Sequence, residues 1–251
     1  MAKKPRTPDP PRKVQAPKVR QKPRPDSGGG FATPSTNVLI GVGLAASVAL
    51  AVGLIVVLTG SAGASNVSAE DVTKVRTAMT AAGCTFTGQP ASASQRHMQT
   101  GDQRVVYDTF PASSGVHNPS TSIFGNYRLP VDPRQAVHNL EHGAIAIWYG
   151  PDISVKDRVA LDELYDDDPN GLIISPIRDP YPRVKYPKHE PLDSGIALTT
   201  WTAPADEAAN GTVYVARCPS FDREALAAFR DTFRGKGPER FPVSQMVPGG
   251  N

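Results

Sequence analysis

The stretch "VHNLEHGAIAIWY" (137–149) places two histidines four residues apart, with a glutamate directly before the second. On a helix, residues at i and i+4 lie on one face, with Cβ atoms about 5–6 Å apart. His138 and His142 therefore form a bidentate clamp for a metal ion. Glu141 flanks the same face as a ligand, an outer hydrogen-bond partner or a base.

A clamp of two imidazoles is incomplete, because structural metal sites usually use four ligands and catalytic sites keep one position open. The nearest further candidates are His117 in "SSGVHN" and His97 in "RHMQTGD". Imidazole suits zinc or copper, and Met98 next to His97 slightly favours copper. His189 lies apart, in "YPRVKYPKHEP", and we expect it to be exposed and without a partner.

The same residues also allow other interpretations. "HNLEH" matches the His-x-x-Glu-His pattern of inverted zinc peptidases, but that pattern belongs to a long helix, and here Gly143 follows at once. Ser113 and Ser114 lack a Gly-x-Ser-x-Gly elbow, and no phosphate-binding, dinucleotide or haem motif is present. The histidines could equally be structural, as neutral rings that hold irregular loops. The sequence therefore predicts no catalytic residue, and enzymatic activity is disfavoured.

A short helix must position the clamp. Asp132 is a suitable N-cap, Pro133 a suitable first position and Gly143 a suitable stop, which predicts a helix over 133–142 followed by a strand at 144–149. Further helices are predicted at 68–83, 154–167 and 221–237, and further strands at 104–107, 172–175, 196–201 and 212–216. The helix faces predicted to be buried are Val72, Val75 and Met79; Val155, Val159, Leu161 and Leu164; and Leu226, Phe229 and Phe233.

Helices mixed irregularly with short strands indicate a single small α+β domain over 68–241, with a flexible C-terminus at 242–251. Two long segments, 110–135 and 178–195, are rich in Pro, Ser, Gly or Tyr and have no periodicity. Long irregular segments of this kind are often functional.

The N-terminal part has a different composition. Residues 1–36 carry nine Lys/Arg against two Asp and many prolines, which predicts a disordered tail. Residues 37–59 contain no charged residue and are long enough for one transmembrane helix, followed by a linker at 60–67. Because the basic residues precede the span, we expect a single-pass protein of the cell membrane with a cytoplasmic N-terminus and an extracytoplasmic domain. The positive charge belongs to the tail, so we expect no nucleic acid partner.

The chain has two cysteines, Cys84 and Cys218, and both fall on the predicted extracytoplasmic side. Disulfides persist there, and a redox pair would more typically be close in sequence. We therefore expect a structural disulfide.

Three segments resemble a family of bacterial exported domains, the domain-of-unknown-function family 3105: "RHMQTGDQRVVYDTFPASSGVHN", "VHNLEHGAIAIWYGP" and "RCPSFDREALAAFRDTFRGKGPE". The resemblance covers about residues 68–240 and implies one exported domain behind a single membrane span, with no assigned biochemical role. It places His97, His117, His138, Glu141 and His142 within family motifs. Val116 stands where the family usually has proline, and "TTWTAPADEAANGTVYVARC" is longer than expected, which leaves the number of strands open.

Two functions from different classes are consistent with these patterns. The first is a membrane-anchored domain that binds zinc or copper through His138, His142 and His117, with His97 or Glu141 completing the shell. The second is a non-catalytic interaction module, tethered near another membrane protein complex, whose histidines are structural.

Overall fold

The computed structural model describes residues 66–102, 104–204 and 210–249. The predicted basic tail, the predicted span at 37–59 and most of the predicted linker lie outside these ranges. Within them, no helix is both long and apolar enough to cross a lipid bilayer.

The described residues form a mixed α+β domain with four α-helices and eight short strands. The helices are α1 (Ala69–Ala81), α2 (Pro133–His142), α3 (Val155–Asp167) and α4 (Arg223–Phe233). The strands are β1 (Thr85–Pro90), β2 (Val105–Val106), β3 (Gly125–Asn126), β4 (Ile145–Tyr149), β5 (Leu172–Pro176), β6 (Val184–Lys185), β7 (Ile196–Thr202) and β8 (Thr212–Cys218). Six strands make one sheet in the order β1-β8-β7-β4-β5-β3, and β2 pairs with β6 separately.

The four central strands of the six-stranded sheet, β8, β7, β4 and β5, are buried on both faces, and β4 shows how their residues alternate. Ile145, Ile147 and Tyr149 belong to the core formed with α1, α3 and α4. Ala146 and Trp148 point to the opposite core, which α2 and the irregular segments cover. Because successive side chains of a strand point to opposite faces, one short apolar run supports both layers.

The prediction for α1 is confirmed at its N-terminus and on its inner face. The Ser68 hydroxyl accepts a hydrogen bond from the Asp71 amide at 3.1 Å, and Val75 and Met79 are fully buried. In α4, Leu226, Phe229 and Phe233 are buried as predicted. The expected disulfide is also present: Cys84, just after α1, bonds to Cys218 at the end of β8.

The predicted buried face of α3 is wrong in part. Leu161 and Leu164 are buried, but Val155 and Val159 are 82% and 50% exposed. At about 100° per residue, the two valines lie on the side of the helix opposite to the two leucines. The four residues therefore cannot share one face.

Three strands lie where the sequence predicted none: β1, β3 and β6. β1 contains glycine and proline, and it pairs with β8 at the edge of the sheet, with Gly88 opposite Tyr214. A Cβ at Gly88 would lie 2.9 Å from the Tyr214 ring, so this strand residue has to be small. β3 and β6 are two-residue strands inside the segments predicted to be irregular.

Packing also continues beyond the domain boundary predicted at residue 241. A 3₁₀ turn occupies Val243–Gln245, and Met246 is fully buried. The Met246 carbonyl accepts a hydrogen bond from the Gly171 amide at 2.7 Å. Within the segment that the sequence indicated as flexible, Met246 is thus buried and Val243 partly buried against the domain.

Candidate metal centre

The helix that carries "HNLEH" begins and ends as predicted. The Asp132 carboxylate accepts a hydrogen bond from the Arg134 amide, Pro133 is the first helical residue and Gly143 adopts a left-handed conformation with φ of 101°. Seven of its ten residues are buried, among them His138 and Glu141. The two side chains therefore face the interior and the segments that cover the helix, not open solvent.

Those covering segments bring in the other histidines. The segments around His97 and His117 run side by side and pair as an isolated parallel β-bridge. The Met98 amide donates to the His117 carbonyl at 2.6 Å, and the His117 amide donates to the Arg96 carbonyl at 3.2 Å. This pairing places both imidazoles over α2.

The segment after His117 is fixed to α2 by Asn139. The Asn139 side chain accepts from the Ser122 amide and donates to the Ser122 carbonyl, both at 2.8 Å. The Asn118 amide donates to the Arg134 carbonyl at 3.1 Å. An irregular segment is held rigidly in this way, as a preorganised site requires.

Four side chains converge at this point: His97, His117, His138 and Glu141. One ligand atom from each lies within 4.8 Å of the others. The centroids of the three imidazole rings are 4.8–5.1 Å apart. His117 is fully buried, and the side chain of His97 is 49% exposed, so the group sits just beneath the surface.

The hydrogen bonds of two imidazoles identify which nitrogen is free. The Nδ1 atom of His117 lies 2.8 Å from the Gly115 carbonyl, and that of His138 lies 2.8 Å from the Asn118 carbonyl. A carbonyl oxygen can only accept, so Nδ1 carries a proton in each ring and Nε2 is the nitrogen left to bind an ion. Metal-binding histidines are oriented by this type of outer hydrogen bond.

In the part of the chain that the structure describes, two buried atoms of the group lack a hydrogen-bond partner. The Nε2 atom of His117 and the Oε2 atom of Glu141 are 3.0 Å apart, yet neither makes a hydrogen bond of acceptable geometry. A buried polar atom without a partner costs about 1–3 kcal/mol, and such atoms are rare in folded proteins. A cation between the two lone pairs would satisfy both at once.

Burial sets the protonation of these groups. It lowers the pKa of His138 to about 4, against an opposing effect of the hydrogen bond to Asn118, so the ring is neutral at pH 7. Burial alone would raise the pKa of Glu141, but the neighbouring imidazoles, first that of His117, lower it further than burial raises it. His138 is thus neutral and Glu141 ionised at pH 7, which are the forms of these two groups that bind metal.

The structure divides the predicted clamp. His142 is not among the four convergent residues; it lies on the other side of His138, where its Nε2 atom is 2.9 Å from the Glu239 carboxylate. Burial lowers the pKa of His142, although Glu239 and Glu141 oppose this effect. The sequence did not indicate the two residues that contact His142 from beyond α4, Glu239 and Phe241, because both are distant from α2 in sequence.

The remaining candidates lie elsewhere. His189 contacts the Asp179 carboxylate and packs against the Phe110 ring, so the expectation that it has no partner is wrong. The Ser113 hydroxyl hydrogen bonds to that of Thr109, and the Ser114 hydroxyl accepts from the Ser92 amide. Both serines stabilise loops.

Three imidazoles and one carboxylate are a donor set that suits zinc or divalent copper, because both are of borderline softness. Neither cysteine can contribute a thiolate, since both form the disulfide. His97, as the exposed member, is the ligand that water or another molecule would replace most readily.

No curated protein and no solved structure matches the chain. One family model does, over residues 97–244, and it carries the description "Protein of unknown function (DUF3105)". The matched part begins at His97 and includes the other three convergent residues. Because this match covers more than half of the chain, the protein belongs to the DUF3105 family.

Proposed function

We propose that the domain binds one transition-metal ion, zinc or divalent copper, through His97, His117, His138 and Glu141. The observation that carries the proposal is the unpartnered pair of buried atoms, His117 Nε2 and Glu141 Oε2, which face each other at 3.0 Å. Two rings with Nδ1 anchored on backbone carbonyls support it, because they direct their lone pairs to the same place.

The proposed location of this function is the outer face of the cell membrane, with residues 37–59 as a single-pass anchor. Its support is the apolar composition of that segment and the basic residues before it. The Cys84–Cys218 disulfide is consistent with an oxidising compartment.

An interaction module with structural histidines is the second candidate. The backbone hydrogen bonds of His117 and His138 would serve such a role equally well. It does not explain why two buried lone pairs face each other.

Elemental analysis of the purified full chain separates the two candidates. The untagged protein would be equilibrated with zinc and copper, desalted and measured by mass spectrometry beside Glu141→Gln and a control, Glu190→Gln, whose side chain is 80% exposed and distant from the site. We expect about one equivalent of metal in the wild type and the control, and almost none in Glu141→Gln. Wild-type protein without metal after this treatment would rule out the site and leave the interaction module.

A further inference from the structure

A second group of possible ligands adjoins the first and shares one residue with it. His138, His142 and Glu239 also place ligand atoms within 4.8 Å of one another. The Glu239 side chain is 49% exposed, and that of His142 is 18% exposed. This second group therefore opens outwards, whereas three of the four members of the first group are buried.

The fold holds Glu239 in place over the end of α2. The Glu239 amide donates to the Glu141 carbonyl at 3.1 Å, and the Gly235 amide donates to the Gly143 carbonyl at 2.8 Å. A Cβ at Gly237 would collide with the Gly143 amide and the Glu141 carbonyl, so the two backbones approach as closely as glycine permits. Glu239 is thus set by backbone contacts to the helix that carries His138 and His142.

His142 is oriented from the other side. The ring of Phe241 stacks on it, with centroids 4.9 Å apart and planes 16° apart. The His142 ring also meets that of His138 edge to face, with centroids 4.7 Å apart. An imidazole and a carboxylate held in this way form a partial metal site, and His138 is the third ligand within reach.

His138 can serve only one of the two groups at a time. Its Nδ1 atom donates to the Asn118 carbonyl, so one nitrogen remains for an ion. Four ligands meet in the inner group and three in the outer group. An ion should therefore be held more tightly in the inner group, and an ion in the outer group needs to exchange ligands at His138 to enter.

We infer that His138, His142 and Glu239 form a second, weaker site for the same class of borderline divalent ion, and that metal enters and leaves the inner group through it by ligand exchange at His138. The inference rests on the proposed function, because an exchange route needs an inner site to serve.

The test separates the outer site from the inner one. In the full chain, His97→Ala together with Glu141→Gln removes two inner ligands and leaves the outer group intact; His97 is half exposed and glutamine is nearly isosteric, so the fold should survive. Zinc binding would be followed by competition with a chromophoric chelator, and Co²⁺ absorption would report the ligand environment. Tryptophan fluorescence from Trp148 and Trp201 would verify folding.

We expect this double variant to bind about one zinc ion weakly, and the further change Glu239→Gln to weaken that binding by about tenfold or more. The control change Glu190→Gln should leave it unaltered. In otherwise wild-type protein, Glu239→Gln should leave one tightly bound ion but slow its removal by excess chelator by about tenfold.

Three results would count against the inference, and each overturns a different part of the reasoning. A folded double variant with no zinc affinity, or one that Glu239→Gln does not weaken, would overturn the outer site while the inner site stands. An unchanged removal rate in Glu239→Gln would overturn the exchange route. Wild-type protein that binds neither zinc nor copper would overturn the proposed function itself, and this inference with it.

Discussion

Replacement of Glu141 by glutamine should stabilise the metal-free protein and remove its tight metal binding. The Nδ1 atom of His117 carries a proton, and its Nε2 atom lies 3.0 Å from a carboxylate oxygen of Glu141. Among the described residues, neither Nε2 nor this oxygen has a hydrogen-bond partner. The amide of a glutamine in this position can donate to Nε2 of His117, so the substitution provides a hydrogen bond where the wild type has two unpartnered atoms.

The expected gain follows from the two unpartnered atoms. An unsatisfied buried group costs about 1–3 kcal/mol and a neutral hydrogen bond contributes about 1 kcal/mol, so relief of this contact should raise the free energy of unfolding by about 1–3 kcal/mol. For a domain of this size, each kcal/mol corresponds to about 2–4 °C in Tm. Zinc at about 100 times its Kd should stabilise the wild type by about 2.7 kcal/mol. Without the carboxylate, most of that gain should disappear.

Thermal unfolding of the wild type and of Glu141→Gln at pH 8, each with chelator and with zinc, gives four Tm values. They report the difference between the two metal-free proteins and the stabilisation of each by zinc. We expect Glu141→Gln to unfold at the higher temperature in chelator, and zinc to raise its unfolding temperature much less than that of the wild type. Glu190→Gln should behave as the wild type in both buffers. A glutamine variant that is less stable in chelator, or that gains as much from zinc as the wild type, would refute the reasoning, because the carboxylate would then be stabilised by protein contacts alone.

Three further predictions follow from the rest of the structure. The double change Cys84→Ala/Cys218→Ala opens a loop with a sequence separation of 134 and should lower the free energy of unfolding by up to about 5 kcal/mol in urea titrations; the same protein, if folded, should still bind one metal ion. Because the pKa of His138 is lowered to about 4 in the folded state, from about 6.5 when unfolded, only the unfolded state takes up this proton between those values. The stability of metal-free protein should thus fall as pH drops from about 6.5 towards 4, and urea titrations of His138→Gln should show a smaller fall. Gly237→Ala introduces a Cβ that collides with the backbone of Gly143 and should lower the Tm and raise the Kd for zinc, whereas the control Glu190→Gln should leave both unchanged.

The helices and the central strands could be predicted because their signals are local. A side-chain cap, a first-turn proline and a left-handed glycine each act within a few residues, and Asp132, Pro133 and Gly143 delimit α2 as their types require. The same holds for β4, whose apolar run is buried on both faces. Edge strands lack such signals: β1 has glycine at the position that Tyr214 covers, which only the paired strand explains.

The sequence named five residues of the two convergent groups, but neither Glu239 nor the division into two groups could be predicted from it. Helical spacing puts His138 and His142 on one face, and it carries no information on what lies above that face. Contacts between residues distant in sequence decide which side chains lie over that face. The Asn118 carbonyl accepts a hydrogen bond from the Nδ1 atom of His138, and backbone hydrogen bonds to the end of α2 bring Glu239 next to His142.

The position of His138 between the two groups has a consequence for any metal chemistry in this domain. One side of its ring faces two histidines and Glu141, and another faces His142 and Glu239. A residue that only bound a permanent structural ion would need neither a second set of ligands nor a half-exposed carboxylate beside it. A residue that passes an ion between a surface position and an inner one needs both, together with a fixed tautomer that leaves a single nitrogen free. The arrangement around His138 therefore favours reversible metal exchange over permanent structural binding.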